Sequence, residues 1–222
     1  MNEKEWVADG VPVRLGRIDE SPWLALDRTL SEVGDACLRW LMAGFSVRWV
    51  SGRQMGGLDG VFAQFAAAWQ FPPFFGWNLA AFDECLREVD INQVVPPGRG
   101  YVVVLFDAGS VLVGEEPDLP PLVRAMSYAH EVYSKPIIRG EWWDRPALPF
   151  HVVLHMGRDH ARRWEDAGVS LSWLDQESDG MAIDGLRNPR RSLSFPSTKH
   201  ATTNGRHPNE LSHISCGVVF QN

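Results

Sequence analysis

The chain has 222 residues, of which 45% are hydrophobic and 22% charged, a balance that fits a globular protein with one full core plus extensions, or two small domains. No apolar run reaches membrane-spanning length, and the acidic, polar start at residues 1–6 lacks the basic opening and apolar stretch of a secretory signal, so the reading is cytoplasmic. A net charge of −7 argues against direct nucleic-acid binding, which needs a basic footprint, and suits a basic protein partner better.

Residues 1–44 carry a net charge of −3 and form an N-terminal extension whose apolar pieces include Trp23-Leu24-Ala25-Leu26. Leu30, Val33, Cys37, Leu38 and Leu41 have helical spacing over 30–43, and Gly44 stops that helix. Residues 45–50 alternate apolar and polar as a strand does. A helix follows over 58–70, its inner stripe made of Leu58, Val61, Phe62, Phe65 and Trp69. Pro72, Pro73 and Gly76 prevent its continuation. Asn78 then caps a helix over 79–89, with Leu79, Phe82, Cys85, Leu86 and Val89 inward and Ala80, Asp83, Glu84, Arg87 and Glu88 outward.

The unbroken apolar run 101–106 reads as a strand buried on both faces. A helix over 120–134 and a strand over 150–155 complete the alternation, which implies right-handed crossovers. The fold class is therefore α/β, a three-stranded parallel sheet packed with helices over 45–157, where the net charge is −4. Residues 158–222 are neutral overall; 159–174 can form one helix, and the stretch from about 176 to 222 is too poor in apolar residues to order itself.

Several motifs lead nowhere. Cys37, Cys85 and Cys216 form no CxxC pair, and no glycine pattern marks a nucleotide site. His151 and His155 share one face of a strand about 13 Å apart, too far to hold one ion. His200, His207 and His213 lack acidic or cysteine companions. No metal, cofactor or catalytic pairing is called for. Trp142 and Trp143 either pack over the sheet edge or form a second contact surface.

The informative block is Phe71-Pro72-Pro73-Phe74-Phe75-Gly76-Trp77-Asn78-Leu79-Ala80-Ala81-Phe82-Asp83-Glu84-Cys85-Leu86. With its flanking strands and helices it resembles the barstar family: a proline after a helix, two aromatics, Gly-x-Asn, then a helix with an acidic outer face ending Asp/Glu-Cys-Leu. The resemblance covers about half the chain. It implies an intracellular inhibitor, or immunity protein, of a basic extracellular or toxin ribonuclease, plugging the enzyme's site with carboxylates in place of substrate phosphates. Carried over position by position, Phe74 stands where the family has an interface tyrosine, and Gly76 and Asn78 match. Trp77 is a further loop aromatic. Glu84 takes the place of the family's most important acid, Asp83 that of an interface tryptophan, and Ala80 that of a second interface aspartate. Glu88 adds an acid one turn past Glu84, and Glu131 is the nearest candidate for an acid from the later helix. The rearranged charge implies a target other than barnase, or a barstar-like interaction module that no longer binds a ribonuclease. Glu84 and Glu88 read equally as solvated helix positions, and Cys85 as a core thiol.

Overall fold

The computed structural model describes residues 15, 18–89 and 98–174. The tail from 175 onward, with its three histidines and Cys216, lies outside the described residues, as do residues 1–14. The parallel α/β sheet implied by the alternation of elements is present, and it is longer than the three strands expected. Its order is β2-β3-β4-β1-β5, built from β1 (Trp23–Leu26), β2 (Ser46–Ser51), β3 (Tyr101–Phe106), β4 (Phe150–His155) and β5 (Ser172–Trp173), every pairing parallel. The three expected strands run in unbroken register, Ser46 to Ser51 against Tyr101 to Phe106 and Tyr101 to Leu105 against Phe150 to Leu154. The added strand β1 comes from Trp23-Leu24-Ala25-Leu26, buried throughout, which pairs with β4. Four consecutive apolar residues carry no alternation, so periodicity could not distinguish them from a loop.

Helices cover the two faces unequally. On the first face lie α2 (Leu58–Trp69), α3 (Leu79–Arg87), α4 (Leu119–Tyr133) and the short α5 (Ala161–Asp166). Trp69 and Tyr133 each stack on Phe150, at 6.1 and 5.8 Å between ring centroids, and Tyr101 packs against both. Trp23 meets Trp164 at 5.9 Å, so β1 and α5 close this core on its far side. The single helix expected over 159–174 is instead a six-residue helix followed by a strand. Gly168, at φ +100°, turns the chain in a conformation that glycine adopts freely. The Leu174 N–H then bonds the Ala25 carbonyl at 2.9 Å.

The second face is covered by α1 (Leu30–Met42). Thr29 and Glu32 form a reciprocal capping box at its start. Its inner residues Val33, Ala36, Cys37 and Trp40 close over Val47, Val102, Val104 and Val153. Burial pushes the Cys37 thiol up to about 11, leaving it a protonated core residue.

His151 occupies this second face fully buried, and neither ring nitrogen has a hydrogen-bond partner among the described residues. Burial, with His130 adding to it and Glu20 opposing, pushes its imidazole down to about 4. The unfolded imidazole binds a proton near the ordinary value of 6.5, the folded one only near 4. Stability is thus complete above pH 6.5 and falls between pH 6.5 and 4, by up to about 3 kcal/mol. Thermal melts of His151→Leu against the parent across that range should show a flatter acid limb. Identical slopes would show that His151 does not carry the effect.

The loop after α4 is anchored by Arg145 rather than by its tryptophans. Trp142 is 66% exposed, Trp143 half-buried, and their rings meet edge to face at 5.2 Å. The buried Arg145 guanidinium donates to the carbonyls of Val132, Tyr133 and Lys135 at 2.9–3.1 Å and lies 4.7 Å over the Tyr133 ring. These are the open carbonyls at the C-terminal end of α4, where a cation also complements the helix dipole. Arg145→Met is expected to cost about 2–4 kcal/mol, read from chemical denaturation, because several buried carbonyls lose their donor together.

Candidate functional site

The site is built on the first face, around the loop between α2 and α3. Gln70 ends α2 in the left-handed region, its N–H returning to the Ala66 carbonyl, and the two prolines then prevent further helix. The Phe75 N–H closes a turn onto the Pro72 carbonyl at 2.9 Å. Phe75 points inward against Phe62 and Phe71, at 5.8 and 5.1 Å. Phe74 and Trp77 point outward, 84% and 56% exposed. The Trp77 ring leans on Phe75 at 5.4 Å and its backbone sits at φ +50°, a conformation a bulky side chain rarely adopts.

Asn78 fixes this loop to α3 with both ends of its amide. Its Oδ1 accepts from the Ala81 N–H at 3.0 Å, and its Nδ2 donates to the Gly76 carbonyl at 2.9 Å. A Cβ on residue 76 would stand 3.0 Å from Asn78 Nδ2 and 3.3 Å from Ala81 Cβ, so glycine lets the loop close tightly on the cap. Asn78→Ala should cost about 1 kcal/mol of stability. Loop mobility should rise as well, measurable by faster amide exchange at residues 76–81.

Phe82 and Leu86 seat α3 in the core, and the Leu86 carbonyl accepts from the Tyr133 hydroxyl at 3.3 Å. The outward residues separate into two sets. Asp83 faces α4 and is held by Arg87, whose Nε and Nη2 both donate to Asp83 Oδ2 at 3.2 and 2.9 Å. Arg87 in turn lies 4.8 Å over the Tyr128 ring. Glu131 on α4 pairs with Lys135 at 2.8 Å, which holds its carboxyl below the usual range. Leu79, Ala80 and Asp83 from α3 and Arg124, Tyr128 and Glu131 from α4 line an open groove of about 780 Å³.

Glu84 and Glu88 lie one turn apart outside that groove, Glu84 exposed and Glu88 half-buried, with no ion pair among the described residues. Between them Cys85 is partly buried, and burial together with these two carboxylates pushes its thiol up, so it remains a neutral packing residue.

The structure thus brings Phe74, Gly76, Trp77 and Asn78 together in one loop, and Asp83 and Glu131 together in one groove. It does not bring Glu84 or Glu88 into that groove. Sequence reasoning missed Arg124 and Tyr128, although their i, i+4, i+7 spacing with Glu131 marks one outward stripe of α4. With Arg87 and Lys135 they make the surface mixed in charge rather than simply acidic. Among the described residues there is no group of His, Cys, Asp or Glu able to hold a metal, and no helix long and apolar enough to cross a membrane.

Exposed Phe74 and Trp77 on the loop thus lie beside the charged side chains of the capped helix α3 and the open groove. The scaffold beneath it carries a family signature. Residues 45–155, half of the chain, match the family described as barstar, the barnase inhibitor, and the chain belongs to the barstar family. No curated protein matches the chain.

Proposed function

We propose that this protein is an inhibitor, an immunity protein kept in the cytoplasm, of a basic ribonuclease. The loop 74–78 and the outer face of α3 would enter the enzyme's active site. The observation that carries the reading is the pairing of exposed Phe74 and Trp77 with the Glu84 carboxylate, which has no ion pair among the described residues, on a helix held by the Asn78 cap. Phosphodiester-cleaving sites are lined with cations, and a carboxylate fixed on a rigid helix can bond them with little ordering cost. No bond is made or broken, so the role is binding rather than catalysis.

The charge pattern narrows the target. Asp83 and Glu131 already have cations of their own, and Arg124 faces the same groove. The partner would therefore set a base against Glu84 and Glu88 and an acidic or aromatic group against Arg124 and Tyr128. The rearranged charge favours a target other than barnase. Capture on the immobilised full chain from its source cells, followed by RNA-cleavage assay of the eluate, tests the reading. A captured nuclease silenced by added free chain is the expected result. Specific capture of a partner without nuclease activity would instead favour an interaction module that has left ribonucleases, the reading to which Ala80 and the Asp83–Arg87 pair lend support.

A further inference from the structure

Strand β2 ends the sheet and pairs with β3 alone among the described residues. The Ser46 N–H bonds the Gly100 carbonyl, so alternation directs the backbone groups of Arg48 and Val50 inward to β3 and those of Val47, Trp49 and Ser51 outward. Two of these outward groups are already occupied. Gln64 Oε1 accepts from the Ser51 N–H at 3.0 Å, and Arg48 Nη1 donates to the Val47 carbonyl at 3.2 Å. Trp49, at the middle of the edge, has no such side-chain partner among the described residues. Its indole is 54% exposed and projects on the α1 face, as does its register neighbour Val104.

The helix on that face presents a second apolar line. Leu30, Leu38 and Leu41 are 60%, 59% and 39% exposed, and with Gly34 between them they form one flank of α1, beside its buried line Val33, Ala36 and Trp40. A right-handed β1–α1–β2 crossover turns this flank toward β2. The charged residues Glu32, Asp35 and Arg39 take the opposite flank, away from the edge.

We propose that this edge and flank form a docking surface for a second copy of the chain, the two β2 strands pairing antiparallel about a two-fold axis at Trp49. In that arrangement the N–H and C=O of each Trp49 meet those of its partner, closing the outward position at which neither group has a side-chain partner among the described residues. A longer foreign strand would need the Val47 carbonyl and the Ser51 N–H, which Arg48 and Gln64 occupy. A two-fold contact brings the same patch of both copies together, so a flank of one charge sign would repel itself, whereas the flank facing β2 is neutral. The exposed apolar area of Trp49 and the three leucines is roughly 400–500 Å² per copy, the size of the largest, often functional, patch on a monomer, and with the paired strands it approaches the lower limit of specific interfaces. The surface lies on the sheet face opposite α3 and α4, so both copies keep their loop and groove open.

Sedimentation equilibrium of the full chain up to roughly 100 µM is the test, since mass action then favours association. The expected result is a concentration-dependent dimer, with Trp49→Lys and Leu38→Glu each monomeric and unchanged in far-UV circular dichroism. Trp49→Cys should form an intermolecular disulfide under mild oxidation that the parent does not form. A single-chain mass for the parent at the highest concentration, or a dimer that persists in either charged variant, would overturn the proposal and leave the surface to another partner.

Discussion

A chain cut back to residues 45–157 is expected to lose cooperative folding. The cut removes β1 and α1, and with them Leu24, Leu26, Val33, Ala36 and Trp40 from the second face. Val47, Val102, Val104 and Val153 would then meet water on a face that α1 covers in the intact protein. The loss of Trp164 with α5, and of Trp23 with β1, opens the first face at its far side. At about 1.5–3 kcal/mol for each large side chain, the removed burial is on the order of 15 kcal/mol. Whole domains are stable by only about 5–15 kcal/mol. We therefore propose that the folding unit extends beyond the family-matched segment, from β1 through β5. The check is a thermal melt and a hydrophobic-dye titration of the short chain. No sharp transition and strong dye binding are expected; a cooperative melt with native circular dichroism would show that residues 45–157 fold alone.

The second large effect is functional. In the proposed inhibitory role, Glu84→Ala should weaken binding of the target ribonuclease by about 2–5 kcal/mol, the cost of leaving a desolvated cation of the enzyme without its partner. Asp83→Ala should cost less, because Arg87 already neutralises that carboxylate within the protein. The order Glu84 above Asp83 separates this account from one in which any acid on α3 serves. Dissociation constants for the two variants, measured by calorimetry at one salt concentration, settle the order. A change at Glu84 of only a few tenths of a kcal/mol would remove it from the contact.

Much of this was legible in the sequence because the signals were strong and local. The run 101–106 is apolar at every position and forms a strand with those bounds; 150–155 does the same. Asn78 caps α3 as its residue type and place imply. The loop aromatics were harder: Phe74, Phe75 and Trp77 have no periodicity, so which of them turns inward depends on Phe62 and Phe71, which only the fold brings near. The captured state of Asp83 lay in plain i, i+4 spacing with Arg87, but such pairs compete with solvent and with partners, and spacing alone does not decide the winner. The full burial of His151 has no signal in the strand's own pattern, because a histidine's type and spacing do not show what will cover it.

The proposed inhibition of a basic ribonuclease can be tested by titrating the intact chain into RNA-cleavage assays of a panel of basic microbial ribonucleases that includes barnase. At least one enzyme is expected to lose its activity with an end point at one chain per enzyme, and Glu84→Ala to shift that titration to much higher concentration. Full activity of every enzyme at a large molar excess of chain, or inhibition that Glu84→Ala leaves unchanged, would contradict it.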